Sequence, residues 1–360
     1  MLGKIGVLIV NLGTPDAPTR GAVWRYLQEF LTDRRVIDIP AVPRNILVRG
    51  IIAPLRSGKS AKAYKDLWTE GGSPLKFYGE RVAMGVQARL GDDYHVELAM
   101  RYQSPSIADA LERLLANPIS ELIVFPMFPQ YASATTGSIH DKVMELLRKK
   151  DTIPPVRFIN SYYDHPAMID IYAENARQFD LFSYDHVLFS YHGLPQRQLK
   201  KADDYNHCLK VDNCCGSITA ANQFCYSAQC HATARLIADN LGLREDQYTI
   251  CFQSRLGPDK WAQPYTIKVI EEWAKKGAKR LLVFSPAFVA DCLETTIEIA
   301  DEYQEEFEEW GGEKIDLVPS LNDDARWMDV ITDLIRPFGY HPDTVGIDAQ
   351  EPTGTASSLG

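Results

Sequence analysis

Short apolar runs alternate with amphipathic stretches along most of the chain. Each apolar run is bounded by Gly, Pro or polar residues, a pattern typical of buried β-strands. Between the runs, apolar residues recur at helical spacing, as in residues 20–31. The strands are predicted at 5–10, 96–100, 121–125, 156–160, 187–191, 248–253, 280–285 and 314–318. Alternating strands and helices at this spacing predict α/β architecture with parallel sheets.

The two halves of the chain resemble each other at the ends of their strands. IVNLGTP (9–15) matches FSYHGLP (189–195), and LIVFPMFP (122–129) matches LLVFSPAF (281–288). This internal similarity predicts two Rossmann-like domains, each with a four-stranded parallel sheet flanked by helices. The first comprises 1–160 plus 322–340, whose helix crosses back, and the second comprises 161–321. Ligands bind beyond the carboxyl ends of such strands, so we expect a cleft between the domains.

Two segments depart from this alternation. Residues 36–56 are strongly apolar but contain Pro40, Pro43 and Pro54, so we do not expect a single helix there. The segment could be a lip over an apolar ligand, a patch that contacts a membrane, or a helical hairpin packed on the core. Residues 341–360 lack apolar periodicity, which predicts a disordered tail.

Composition and charge exclude several classes of protein. The chain has 360 residues, is 45% hydrophobic and carries a net charge of −10, which disfavours nucleic-acid binding. It contains no apolar run of the ~18 residues that a membrane span needs, and its N-terminus does not resemble a signal peptide. A cytoplasmic protein is therefore expected. Neither GxGxxG nor GxxxxGK[ST] occurs, which disfavours a nucleotide-dependent enzyme.

A histidine and an acidic segment are the first candidates for chemistry. His192 follows the predicted strand 187–191, where its imidazole could meet a substrate or simply bond a loop carbonyl. Residues 291–302 predict a helix in which Glu294, Glu298 and Glu302 form one acidic stripe, and Asp291 with Glu294 resembles a capping box. Such a stripe is either solvated or binds a cation. One imidazole and one carboxylate suit a weakly bound divalent metal such as Fe²⁺.

Five of the seven cysteines lie within residues 208–230. Disulfides are not expected in the cytoplasm, so we interpret Cys208, Cys214, Cys215 and Cys225 as four thiolate ligands. Cys230 lies five residues beyond Cys225, about 140° around a helix, and is either structural or an alternative ligand. Four cysteines suit Zn²⁺ or an iron–sulfur cluster. Because the spacing differs from the CxxC pairs of zinc ribbons, we favour a [2Fe–2S] cluster in an insert at 206–226.

Seven motifs, taken together and in order, resemble the ferrochelatase family, especially its Gram-negative members. They are VNLGTPDAPT, EGGSPL, MRYQSPSI, FPQYASATTGS, FSYHGLPQR, FQSRLGP and DCLETTIEIADEY, and the resemblance covers roughly 5–340. It implies a lyase that inserts Fe²⁺ into protoporphyrin IX, releasing two protons and giving protohaem in the last step of haem biosynthesis. A coproporphyrin or cobalt chelatase of the same fold, and a non-catalytic tetrapyrrole or metal carrier, are the alternatives.

The resemblance also implies roles for individual residues. His192 would be the central catalytic residue and, with Glu294, would bind Fe²⁺, while Glu298 would continue an acidic path for metal or protons. Whether His192 acts as base or as metal ligand stays open. Porphyrin-binding positions would be Leu12, Arg56, Ser73, Arg101, Tyr102 and Trp261, with Arg56 facing a propionate. A peripheral membrane contact through the 36–56 lip and a homodimer are further possibilities.

Overall fold

A computed structural model describes residues 3–255 and 257–336, so the predicted tail at 341–360 lies outside the described residues. The elements of the first half are β1 (Lys4–Gly13), α1 (Arg20–Leu31), α2 (Ala41–Leu47), a first π segment (Val48–Ile52), α3 (Ala53–Leu67), α4 (Pro74–Leu90), β2 (Tyr94–Tyr102), α5 (Ile107–Leu115), β3 (Ile119–Pro126), α6 (Thr136–Leu147) and β4 (Val156–Phe158).

The elements of the second half follow the same alternation. They are α7 (Pro166–Ala176), a 3₁₀ turn (Leu181–Ser183), β5 (His186–His192), α8 (Gln196–Lys201), α9 (Tyr226–Leu241), a 3₁₀ turn (Glu245–Gln247), β6 (Tyr248–Gln253), α10 (Thr266–Lys275), β7 (Arg280–Phe284), a second π segment (Glu294–Glu302), α11 (Tyr303–Glu309), β8 (Lys314–Leu317) and α12 (Ala325–Ile335). All eight predicted strands are present.

The eight strands form two parallel sheets with the same topology. Their orders are β2-β1-β3-β4 and β6-β5-β7-β8, so β1 corresponds to β5 and β3 to β7, as the repeated motifs predict. Successive side chains of β1 enter different cores: Leu8 and Val10 pack with α5 and α6, whereas Val7 and Ile9 pack in the core shared with the second half. Helices on both faces explain why the central strands β1 and β5 are buried over nearly their whole length.

Several contacts join the two halves. One buried cluster contains Ile9 from β1 together with Phe189 from β5. The last helix, α12, crosses back to the first half as predicted, where Asp329 pairs with Arg89 of α4. Two hydrogen bonds also join the halves: the Gln130 amide donates to Thr233 Oγ1 at 3.0 Å, and Tyr131 N donates to Gln229 Oε1 at 2.6 Å. The domain division at 160/161 and 321/322 stays a prediction.

The proline-containing segment is the main correction to the predicted fold. Residues 41–67 form one continuous helical run, so the expectation that the prolines prevent a single helix was wrong. Pro43 lies in the first turn, where no intrahelical N–H is needed. Pro54 follows the first π segment, where Ala53 N bonds Val48 O five residues earlier. The wider turn tolerates a residue without an N–H at position 54.

The acidic segment is also helical, as predicted, but it begins as a π-helix over Glu294–Glu302. The expected capping box is absent: the segment's N-cap is Leu293, and no side chain caps it. The Asp291 carboxylate instead accepts from Asn322 Nδ2 at 2.9 Å. A partner 31 residues away therefore replaces the local bond that the spacing suggested.

Among the described residues, no helix is long and apolar enough to cross a membrane.

Candidate functional site

His192 is the last residue of β5 and is half-buried. Its Nδ1 lies 2.7 Å from the carbonyl oxygen of Gly193. Because a carbonyl only accepts, Nδ1 carries the hydrogen, and Nε2 of the neutral ring keeps a lone pair for a substrate proton or a metal. The rings of Trp261 and Phe288 lie 6.4 and 6.5 Å from the imidazole centroid. The His192 imidazole thus bonds a loop carbonyl through Nδ1 and still has Nε2 available for a substrate.

The main chain around His192 is held on both sides. Tyr226 Oη, from the first turn of α9, donates to the His192 carbonyl at 2.9 Å. Gly193 N donates to the Gln253 carbonyl at 2.9 Å. These bonds restrict rotation of the peptide units that orient the imidazole. Tyr226 directly follows Cys225, so the cysteine-rich insert connects to the histidine through one residue.

Glu294 begins the second π segment and faces helices of the first half. Its carboxylate is hydrogen-bonded to the Cys292 thiol, and burial together with this neighbouring charge raises the pKa of Cys292. Tyr26 of α1 and Tyr64 of α3 hydrogen-bond each other beside Glu294. Burial, and to a lesser degree Glu294, raises the pKa of both phenols, so they stay protonated. Sequence reasoning missed these tyrosines because their helical spacing resembles ordinary core positions.

Glu298 anchors the second π segment to the end of β6. Its carboxylate accepts from Ser254 N at 3.1 Å, Ser254 Oγ at 2.7 Å and Tyr303 Oη at 2.9 Å. Ser254 adopts a left-handed φ of 63°, which turns both donors toward the helix. In this arrangement Glu298 is an anchor, and both of its oxygens are occupied. Burial and Glu298 together raise the pKa of Tyr303.

His192 and Glu294 lie on different elements, at the end of β5 and at the start of the second π segment. Within residues 3–255 and 257–336, no hydrogen bond or ion pair joins the two. Over the same ranges, no group of three or more His, Cys, Asp or Glu side chains is arranged to hold a metal ion.

Comparison with known proteins assigns the family. The family model described as Ferrochelatase matches residues 4–337. A ferrochelatase of Legionella pneumophila (strain Lens) is 43% identical over 331 residues, covering 92% of this chain and 98% of the relative. A ferrochelatase of Coxiella burnetii (strain Dugway 5J108-111) is 44% identical over 337 residues, covering 92% and 93%.

The chain belongs to the ferrochelatase family. The solved structure of SirB from Bacillus subtilis with Fe³⁺ is similar in fold, with a TM-score of 0.50 and 10% identity over 92% of this chain and 93% of that one. The two-sheet chelatase fold predicted from the sequence is therefore confirmed.

Two of the expected porphyrin-binding residues are engaged in a buried network of this ferrochelatase-family chain. Arg101 Nη2 donates to the Asp33 carboxylate at 2.7 Å, and Tyr102 Oη donates to the same oxygen at 2.9 Å. Ser138 Oγ also donates to it. The Tyr102 ring is completely buried, and burial with Asp33 raises its pKa. These contacts enclose Tyr102, and its role in binding porphyrin stays a prediction.

The remaining expected porphyrin positions have different environments. Ser73 is also buried, and its hydroxyl accepts from Thr14 Oγ1 at 2.9 Å, which holds the start of α4 against the turn after β1. Leu12 packs beside α1, the first π segment and α3. Arg56 is exposed on α3. Trp261 lies beside His192, with 6.4 Å between the ring centroids.

The cysteine-rich insert folds as a loop between α8 and α9. The Cys225 thiol hydrogen-bonds those of Cys208 and Cys215, and Cys214 Sγ lies 3.9 Å from Cys215 Sγ. Bonds from these thiols and from Ser227 and Ala228 N–H lower the pKa of Cys225. Cys230 lies within α9, buried and bonded to Tyr226. The structure thus gathers the four cysteines selected from the sequence and separates Cys230 from them.

Proposed function

We propose that the protein inserts Fe²⁺ into protoporphyrin IX and releases two protons, giving protohaem as the last step of haem biosynthesis. Membership of the ferrochelatase family supports this proposal. The observation that carries it is the state of His192: a bond from Nδ1 to Gly193 O leaves Nε2 available beside two aromatic rings. An imidazole held in this way suits proton abstraction from a flat, apolar macrocycle.

The reaction exchanges two pyrrole N–H protons for one dication, so the charge of the macrocycle is unchanged. In our mechanism, Nε2 of His192 accepts the two pyrrole protons one after the other and passes each to bulk water, as the nitrogen lone pairs turn toward the metal. The Glu294 carboxylate attracts Fe²⁺ and replaces part of its water shell. Trp261 and Phe288 contact the macrocycle and exclude water from the reacting face.

Anaerobic metallation assays distinguish the candidate activities. We expect turnover with Fe²⁺ and protoporphyrin IX to exceed turnover with coproporphyrin. Preference for coproporphyrin, or for Co²⁺ over Fe²⁺, would favour another chelatase of the same fold. Porphyrin binding without any turnover would instead support the tetrapyrrole or metal carrier.

We also propose that the insert holds a [2Fe–2S] cluster through Cys208, Cys214, Cys215 and Cys225. Two observations support this proposal. The Cys225 thiol bonds those of Cys208 and Cys215, and Cys225 lies at the N-terminus of α9, where two backbone N–H groups favour a thiolate. Asp203 holds the loop by accepting from His207 N and Cys208 N at 2.7 and 2.8 Å. A bound cluster would cross-link this loop to α9.

Anaerobic purification tests the cluster. The protein should be brown and absorb visible light, and Cys225→Ser should abolish this colour. Cys230→Ser is the matched control within the same helix and should retain it, since Cys230 is buried against Tyr226. Stoichiometric zinc without iron would contradict the cluster and favour a zinc site.

We further propose that the helical run 41–67 contacts a membrane from the cytoplasmic side. Val42, Ile46, Ile51 and Leu55 are all exposed, and their spacing of four, five and four residues follows the α, π and α turns. The π turn therefore keeps them on one stripe. Arg49 and Arg56, exposed on the same run, suit anionic headgroups.

Vesicle co-sedimentation tests this surface. Wild type should bind vesicles containing anionic lipid, and Ile46→Ser with Leu55→Ser should lose binding while keeping the same melting temperature, because both side chains face solvent. Equal sedimentation of the two proteins would contradict a membrane contact.

Light scattering across concentrations distinguishes a homodimer from a monomer, and a constant 40.5 kDa species would exclude the dimer.

A further inference from the structure

We propose that Gln253 is a positioning residue for metallation, because its amide joins the strand ending in His192 to the helix that carries Glu294. The inference rests on the proposed function, since it assigns these two residues to one reaction. Gln253 belongs to the FQSRLGP motif and is the last residue of β6. It touches neither porphyrin nor metal in this proposal and acts only through its neighbours.

The main chain of Gln253 fixes the turn that follows His192. The two residues are register partners in the parallel pair of β5 and β6. The Gln253 carbonyl accepts from Gly193 N at 2.9 Å. The approach is so close that a Cβ on Gly193 would lie 2.9 Å from this oxygen and 3.2 Å from Trp261. The position of Gln253 therefore determines where the His192–Gly193 peptide lies.

The side chain of Gln253 extends the connection to the second π segment. Its Oε1 accepts from Ser190 Oγ, two residues before His192, at 2.7 Å. Its Nε2 lies 3.3 Å from the carbonyl oxygen of Glu294 and 3.4 Å from Glu298 Oε2. A carbonyl and a carboxylate only accept, so the amide can bridge the two elements in just this orientation.

Burial makes this bridge hard to replace. Gln253 is 3% exposed, and Ser190 is fully buried, so water does not substitute for a lost amide. His192 and Glu294 share no direct bond, and the reaction needs both at one macrocycle. A displacement of about 1 Å at a reacting group can reduce a rate about a hundredfold. Loss of the amide should therefore affect the chemical step more than porphyrin binding.

Gln253→Met tests the proposal by removing every side-chain hydrogen bond with little change in volume. We expect kcat for Fe²⁺ insertion to fall at least about tenfold, while KM for porphyrin stays within about twofold. Gln87→Met is the matched control, because Gln87 also makes three amide bonds, to Gly91 O, Tyr94 O and Val96 N. These three groups lie at the amino end of a strand, whereas His192 lies at the carboxyl end of β5. This variant should therefore lose stability but keep kcat.

Gln253→Glu is a second variant that keeps the size of the side chain. Its carboxylate has no N–H to donate, and it faces two acceptors, the Glu294 carbonyl and the Glu298 carboxylate. On its other side, the Ser190 and Thr266 hydroxyls can still donate. The variant therefore keeps the connection to Ser190 and loses the connection to the second π segment.

The kcat of Gln253→Glu should therefore fall about as far as that of Gln253→Met, while KM for porphyrin stays within about twofold. A kcat within twofold of wild type for either variant would overturn the proposal. If the wild type itself fails to insert Fe²⁺, the proposed function fails first, and the two failures are distinguished by that single control.

Discussion

The buried carboxylate of Asp33 gives the sharpest stability prediction. Its side chain is 6% exposed and pairs with Arg101, which is 15% exposed. The carboxylate also accepts from Tyr102 Oη and Ser138 Oγ, and from Arg35 N at 2.7 Å. Asp33→Asn keeps the shape but removes the charge, so Arg101 is left buried without a counter-ion. Removal of one partner of a buried pair costs about 3–5 kcal/mol.

For Asp33→Asn we expect a smaller loss of stability, about 2–4 kcal/mol, because Arg101 Nε keeps its bonds to Ser138. For a chain of 360 residues, this loss corresponds to roughly 3–5 °C in melting temperature. Differential scanning fluorimetry at neutral pH measures it. Asp141→Asn is the control, since Asp141 pairs with Arg34 and Arg35 but is 34% exposed, and should cost only about 0–1 kcal/mol.

Equal shifts for the two variants would refute the reasoning. That result would mean that the Asp33 network contributes no more than a surface ion pair. Porphyrin titration of Arg101→Ala then decides the role of Arg101. The structure predicts a large loss of stability with little change in KM for porphyrin. A raised KM with an unchanged melting temperature would instead support the binding role implied by the family resemblance.

Two further predictions concern the strands that support the site. Burial, assisted by Lys276, lowers the pKa of His186 to about 4. Between about pH 6.5 and 4, the unfolded chain binds one proton more than the folded chain. The free energy of unfolding therefore decreases by about 1 kcal/mol for each unit by which pH is lowered in that window. His186→Phe keeps the stacking on Trp273 and should flatten melting temperature against pH there; an unchanged slope would contradict this. Gly193→Ala places a Cβ 2.9 Å from Gln253 O, so metallation should fall several-fold with porphyrin affinity retained, and a wild-type rate would contradict the close packing.

The sequence was sufficient for the elements whose signal is local. The eight strands, the crossing helix α12 and the equivalence of β1 with β5 follow from apolar runs and repeated turns. His192 was identifiable because a histidine followed by Gly and Pro ends a buried strand. The grouping of four cysteines followed from their density in one short stretch.

What the sequence did not predict depends on partners that are distant in the chain. Arg101 pairs with Asp33, which lies 68 residues earlier in the chain. Arg101 and Tyr102 could therefore not be recognised from the sequence as parts of a buried network. Asp291 bonds Asn322, which removed the expected cap. The continuous helix at 41–67 required a π turn before Pro54, and nothing in local propensity signals such a turn.

The rate of Fe²⁺ insertion by His192→Ala, measured anaerobically with porphyrin binding on the same sample, tests the central claim most directly. Because Nε2 of His192 is the proposed proton acceptor, the rate should fall by about 10²–10⁴. Porphyrin fluorescence quenching should still saturate at nearly the same concentration as with wild type. Turnover near the wild-type rate would contradict the account.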